Sequence, residues 1–339
     1  MPAVSLTICA VPVVISARSP RLVRLFADYF RYYQPQITPE APPVTRAPLT
    51  IELQLRRALP PRTTLIPARA ELFSQTGVVN LWRETLPGEN ESPRERFYFD
   101  LGVAAFRVDI ATGSAIGLVT PAALKYPHIL ANTYALFALL LLLRSRGLYH
   151  LHAAAIVSPD DKLWLICGAQ RAGKTTLTTA LGLAGWQPVS DDSLLLSAND
   201  SGIQLRALKK YFHVGDELLR RWPALDDITR HHQYLDRTCV GGLEFFDATD
   251  LADFTFHGVD HLVLPQIVPE PTSRLVSLNR SDALLKLAEQ SMFFQLWPDH
   301  TRTQWAALTA LTQHAACHRL LSGTDLLTDP QRAAQTLLS

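Results

Sequence analysis

Eight consecutive residues restrict this chain more than any other feature. Gly168-Ala169-Gln170-Arg171-Ala172-Gly173-Lys174-Thr175 fits the Walker A pattern G-x-x-x-x-G-K-[ST] at every defined position. The apolar run Leu163–Cys167 precedes them, and a helical pattern from about Gly173 to Ala184 follows and stops at Gly185. Strand, glycine-rich loop and helix in that order predict a phosphate-binding turn. Gly168 and Gly173 allow backbone angles and close approaches that a Cβ would block. Ala169, Gln170, Arg171 and Ala172 supply the loop backbone, whose N–H groups join the helix N-terminus in surrounding an anion. Lys174 would place a cation on the outer phosphates and the Thr175 hydroxyl would bind Mg²⁺. The nucleotide-contacting set so defined runs from Gly168 through Thr176. An ordinary glycine-containing strand-to-helix turn is the plain alternative.

A third strand, Trp186 to Ser190, ends on the adjacent carboxylates Asp191 and Asp192, 17 and 18 residues past Lys174. A helix of about 12 residues and a strand of about five consume that length. A right-handed crossover then runs the third strand parallel to the second, so loop and carboxylates emerge at one carboxyl edge of the sheet. One acid beside a magnesium nucleotide can hold the metal while the other accepts a proton; a solvated turn is the alternative. Upstream, Tyr149 to Val157 reads as a strand carrying His152. A lone histidine in such a strand is more often a core residue, but this strand immediately precedes the phosphate-loop strand.

The rest of the 339 residues sets the frame. Hydrophobic residues make up 47% and charged ones 19%, ample for a core and excluding wholesale disorder. At roughly 150 residues per domain, two domains are expected. Residues 49–56 alternate strictly, as do 97–100 and 106–110, and residues 111–114 turn the last of these into a hairpin with 115–119. Pro2 to Ala17 reads as a strand pair interrupted near Pro12, and Pro20 to Tyr33 as a helix. Residues 1–120 thus form a smaller β-rich α+β domain for substrate recognition or docking, and residues 121–339 the phosphate-loop domain. A long apolar helix, from about Pro127 to Arg146, would bridge into the latter.

Lys and Arg total 32 against 31 Asp and Glu. That balance speaks against a nucleic-acid partner. Residues 1–150 nevertheless carry 16 basic and 10 acidic groups, a net of +6, and the remainder a net of −5 from 16 and 21. Complementary domain faces explain this asymmetry, as would a basic N-terminal surface that recruits an acidic partner. Cys9, Cys167, Cys239 and Cys317 form no C-x-x-C pair and read as buried thiols in a reducing compartment. The apolar run Tyr134–Leu143 is far short of the roughly 20 residues a membrane span needs, and no charged n-region marks a signal peptide. A cytoplasmic protein without membrane partners is expected.

Leu151-His152-Ala153-Ala154-Ala155, the loop from Gly168 to Thr175, and Val189-Ser190-Asp191-Asp192 together resemble the core of HPr kinases, which share that core with ATP-dependent phosphoenolpyruvate carboxykinases. The resemblance spans roughly residues 145–290 and takes in the strand 261–265 and helix 281–285. It implies an α/β fold with an HPr kinase-like P-loop core on a mixed sheet. It also implies a kinase that uses ATP and Mg²⁺ to phosphorylate a Ser- or Thr-type hydroxyl of a peptide or protein; peptide-tailoring kinases of lasso-peptide clusters are among the relatives. Asp191 would be the catalytic base, Lys174 would stabilise the phosphates, Thr175 and Asp192 would bind the metal, and His152 would steady Asp191 or the transferring phosphate. Two departures stand out: Thr176 replaces the glutamate of bifunctional HPr kinases, and their downstream Gly- and Arg-rich signature is not recognisable. Both argue against phosphorylase activity and against HPr as the acceptor.

A small-molecule alcohol as acceptor and an ATP-binding regulator with little catalysis are the competing readings; the sequence leaves room for a homo-oligomer. Arg206, Lys209 and Lys210 read as a basic edge, His231, His232 and Asp236 as a loose metal-like spacing without cysteine partners, and Arg237 as a candidate transition-state cation. Gly241-Gly242 reads as a turn into a strand at 243–246, and His314, Cys317 and His318 as part of a helix over about 301–321.

Overall fold

Cys9 and Ala10 both adopt positive φ, 50° and 63°. Such a two-residue turn matches the twist of an antiparallel hairpin, and it folds β1 (Ala3–Ile8) onto β2 (Val11–Ala17). The strand break therefore falls at Cys9-Ala10, and Pro12 lies inside β2 opposite Thr7. The computed structural model describes residues 1–33, 35–38, 47–76, 79–87, 94–199, 202–208, 211–225, 232–234, 237–241 and 255–339. Lys209, Lys210, His231, Asp236 and Gly242 to Phe246 lie outside that set, as do the side chains of His232 and Arg237.

The chain divides into two units, Met1–Arg146 and Gly147–Ser339. The division falls later than the expected 120/121 boundary because the apolar stretch after Pro127 belongs to the first unit. In that unit helix α1 (Pro20–Tyr29) is followed by β3 (Gln36–Thr38), β4 (Leu49–Leu55) and a single turn, α2 (Arg62–Leu65). Then come β5 (Glu71–Thr76), β6 (Val79–Leu86), β7 (Arg94–Asp100), β8 (Ala104–Asp109) and β9 (Ser114–Val119). These strands make a nine-stranded sheet in the order β3-β1-β2-β4-β9-β8-β7-β6-β5. The β2–β4 and β4–β9 pairs are parallel and the remaining ones antiparallel. The stretch after Pro127 winds as a π-helix over Leu130–Ala135 before α3 (Leu136–Arg144), all of whose nine residues are buried. It covers β4, β8 and β9 rather than bridging into the second unit. An all-round apolar helix requires burial; this sheet supplies the covering surface.

The second unit starts with β10 (Tyr149–Leu151), β11 (Ala153–Val157), β12 (Leu163–Cys167), helix α4 (Lys174–Leu183) and β13 (Gln187–Ser190). It continues through β14 (Leu194–Asn199), β15 (Gly202–Ala207), β16 (Tyr211–Gly215), α5 (Asp216–Arg221), β17 (His232–Tyr234) and β18 (Arg237–Gly241). Its last elements are β19 (His261–Ile267), β20 (Arg274–Ser277), α6 (Arg280–Glu289), α7 (Pro298–His314), β21 (Ala316–Ser322), α8 (Asp325–Thr328) and α9 (Pro330–Leu338). A mixed six-stranded sheet, β13-β11-β12-β19-β21-β20, is the centre. Every residue of β11 and β12 is buried, as expected of strands covered on both faces. One face packs Ala153, Ala155, Leu165 and Leu262 against α6 and α7. The other packs Ala154, Ile156, Ile166 and Val263 against α4 and α9. The fold is thus mixed α/β.

Cys317 and His318 lie on β21, not on a helix: α7 ends at His314, and Ala315 turns extended (φ −81°, ψ 143°). Parallel pairing of β21 with β19 overrides the local helical period. Cys167 and Cys317 are buried free thiols and Cys9 a half-buried one. Among the described residues no helix is long and apolar enough to cross a membrane.

His318 and His261 stack with Trp164. The His261 ring lies 3.8 Å from the indole centroid and His318 5.7 Å from His261. Burial lowers both imidazole pKa values; for His261 the neighbouring His318 and Lys162 act in the same direction, and Asp260 and Asp160 oppose them. The unfolded chain, with ordinary values near 6.5, therefore takes up protons before the folded one does. Stability from this stack is complete above about pH 6.5 and falls as the pH drops below it. The Tm at pH 5.5 should be lower than at pH 7.5, and a His261→Gln, His318→Gln double variant should narrow the difference. An unchanged difference would mean that other groups set the pH dependence.

Candidate active site

Three stretches reach one edge of the six-stranded sheet. β11 is antiparallel to both β12 and β13, so β12 and β13 run in the same direction with β11 between them. The third strand is therefore parallel to the second but not its hydrogen-bonded neighbour. The C-terminal ends of β12 and β13 and the N-terminal end of β11 share that edge, which brings the loop after Cys167, the carboxylates after Ser190 and His152 to one side of the sheet. Carboxyl edges of this kind are where open α/β sheets hold ligands.

His152 is not inside a strand. It occupies the break where the chain leaves β10, in a three-stranded sheet with β14 and β15, and enters β11 in the central sheet. Its backbone N–H donates to Gln290 O at 2.9 Å, which ties the break to the end of α6. A residue in the middle of an all-buried strand would have its side chain locked in the core; at the break the imidazole turns to the loop.

Arg171 and Gly173 both adopt positive φ, 67° and 96°. The Ala172 N–H donates to Ala169 O at 3.1 Å, closing a tight turn at the start of α4. A Cβ on Gly168 would come within 3.1 Å of the Ala172 Cβ, with Pro265 of β19 next at 3.8 Å. Ala169, Gln170 and Arg171 are exposed, while Ala172, Gly173, Thr175 and Thr176 are half-buried. The first N–H groups of α4 have no partner within the helix and sit at the loop, where the helix dipole favours negative charge.

Lys174 is buried, 6% exposed. Its ammonium donates to Gly168 O at 2.7 Å and Ala169 O at 3.2 Å, and lies 3.1 Å from Nε2 of His152. An ammonium is donor-only, so Nε2 of His152 accepts and the ring proton sits on Nδ1. Nδ1 in turn donates to the backbone carbonyl of Asp192 at 2.9 Å. His152 thus links Lys174 to the backbone of the two-carboxylate turn.

That turn is built by serines. Ser190 Oγ donates to Ser193 O at 2.9 Å and accepts from Ser193 N at 3.3 Å. The side chain substitutes for a turn hydrogen bond and leaves Asp191 and Asp192 at the two central positions. Asp191 is 1% exposed and Asp192 half-buried. Ser193 also bonds the buried His150 ring, Oγ to Nε2 at 2.8 Å. Sequence reasoning gave no role to Ser190, Ser193 or His150; their signal is the His-x-His spacing of His150 and His152 and the serines bracketing the two acids. Cys167, at the end of β12, is pushed up to about 12 by burial, so it is a packed thiol and not a nucleophile.

Arg206 lies half-buried on β15. Among the described residues no group of three or more His, Cys, Asp or Glu has metal-binding geometry.

No family model matches the chain and no curated protein matches it. Among solved structures, the chain is similar to the HPr(Ser) kinase/phosphatase from Coxiella burnetii, with a TM-score of 0.28 and 14% identity over 56% of this chain and 96% of that one.

Proposed function

We propose that the second unit is a phosphotransferase that moves the γ-phosphoryl group of ATP to a Ser- or Thr-type hydroxyl of a peptide or protein. The observation that carries this reading is the common edge: a glycine-lined loop with a buried lysine, beside a turn holding a buried carboxylate. Lys174 would exchange its carbonyl partners for the outer phosphate oxygens, and the loop and α4 N–H groups would bind the remaining charge. Asp191, fixed by the Ser190–Ser193 turn, would orient the acceptor hydroxyl and take its proton. The acceptor oxygen then bonds to the γ-phosphorus, the bond to the bridging oxygen breaks, and ADP leaves. His152 would hold Lys174 and the Asp192 backbone in register.

A hydroxyl from Thr175 and a carboxylate from Asp192 are hard oxygen donors, the chemistry that suits Mg²⁺. When bound, the ion would neutralise charge on the phosphates.

The test is transfer of label from γ-labelled ATP to a panel of Ser- and Thr-containing peptides and to small alcohols, with and without Mg²⁺. Magnesium-dependent label in the peptides is expected. Label in the small alcohols alone would move the acceptor class to metabolites. Nucleotide binding without acceptor-dependent transfer would replace the kinase reading with a nucleotide-binding regulator.

A further inference from the structure

The nine-stranded sheet of the first unit has a second face, away from α1 and α3, and the connection between β4 and β5 lies across part of it. Two arginines fasten that strap. Arg62 lies over the Trp82 ring, 4.2 Å from its centroid, and Arg69 pairs with the buried carboxylate of Glu84. Glu84 also accepts from the Tyr98 hydroxyl, and burial together with this bond pushes the Tyr98 hydroxyl up to about 12. Strap and sheet are therefore joined by a stacked cation and by an exposed arginine on a buried carboxylate, which makes the strap a built wall.

Beneath the strap is a pocket of about 250 Å³. Leu65 and Ile66 of the strap face Ala105, Ile116 and Leu118 of the sheet across it. Its volume is below the range of roughly 300–1,000 Å³ typical for drug-sized ligands and suits one large apolar side chain. Two exposed cations flank the pocket. Arg107 lines it directly. Arg56 donates to Gln54 Oε1 at 2.7 Å, and Gln54 is itself a lining residue. Among the described residues neither guanidinium has an ion pair. The unit as a whole carries 16 basic against 10 acidic residues.

We propose that this pocket is a docking site for an acidic peptide segment, which inserts one aromatic or large aliphatic side chain under the strap and sets carboxylates against Arg107 and Arg56. An apolar hole alone selects weakly. The two cations sit on β8 opposite Ile116 and just past the end of β4 beside Val119, separate points that a chain with several acids meets together and a single small acid does not. The proposal stands on the first unit alone and is independent of the phosphoryl-transfer reading. If both hold, the pocket gives the enzyme a way to choose its acceptor through a contact outside the catalytic unit.

Fluorescence anisotropy on the full chain tests it. The probe is a fluorescein-labelled five-residue peptide, a central phenylalanine flanked by two acidic residues on each side; the comparison peptide replaces the acids with lysines. Micromolar, salt-sensitive binding of the acidic probe is expected, with at least tenfold weaker binding of the basic one. Arg107→Glu reverses one flanking charge and Thr64→Trp plugs the pocket; both positions are exposed, so the fold and Tm should hold while affinity falls about tenfold or more in each. The proposal fails if no binding occurs up to millimolar protein, or if the acidic and basic peptides bind alike. It also fails if both variants bind as the parent does. Equal affinity for free 3-phenylpropionate would overturn the peptide assignment in favour of a small aromatic acid.

Discussion

Asp191→Asn should reduce phosphoryl transfer by roughly 10²- to 10⁴-fold, the range that a positioned general base contributes, while ATP affinity stays within about twofold of the parent. The substitution keeps the volume of a side chain that is 1% exposed, and the Ser190–Ser193 hydrogen bonds that shape its turn do not involve the carboxylate. What the carboxamide lacks is the ability to take a proton from the acceptor. An effect confined to kcat, with the Tm preserved, is the signature of a group that acts only as the reaction proceeds. The contrasting results are distinct. A fall in ATP affinity as large as the fall in rate would make Asp191 part of the nucleotide site. Undiminished transfer would leave the buried acid with a structural duty and remove the base from the mechanism.

The parts of this site that were legible in the sequence are those that local chain geometry imposes. A loop with glycines at 168 and 173 before a lysine has few conformations open to it, and the positive φ at Gly173 is one that side chains other than glycine rarely take. The direction of β13 followed from helix length and crossover handedness. The insertion of β11 between β12 and β13 did not, because sheet order depends on pairings between distant residues. The same holds for the break at His152. The stretch from Tyr149 to Val157, apolar but for His150 and His152, reads as one strand, and only the pairing of β10 with β14 and of β11 with β12 divides it. In the first unit the alternation of 49–56 and 106–110 marked strands, which the structure places at Leu49–Leu55 and Ala104–Asp109. The apolar stretch leading to Arg144 showed that it would be buried but not against which surface. Strand β21 was concealed by a helical period running through Ala315, and long-range parallel pairing decided it.

Lys174→Ala should weaken binding of the magnesium–ATP complex by about ten- to a hundredfold, since a hydrogen bond to a charged group is worth about 1.5–3 kcal/mol and about 1.4 kcal/mol corresponds to a factor of ten. The alanine removes an ammonium that donates to two loop carbonyls and to the His152 ring at the break before β11. The apolar contacts of α4 against the sheet run through Leu177, Ala180 and Leu181 instead, so the Tm should move little. Calorimetry with ATP and with AMP separates two duties that a single affinity would confuse. AMP has no outer phosphates. A lysine that binds them directly costs ATP its affinity and leaves AMP untouched. A lysine whose work is to hold Gly168 and Ala169 in place would lower both together, and Lys174→Arg, which keeps the charge but brings a planar fork in place of a compact ammonium, would then recover neither. Loss for ATP alone would put the cation on the phosphates; unchanged affinity for both would show that the glycine-lined loop is not where the nucleotide sits.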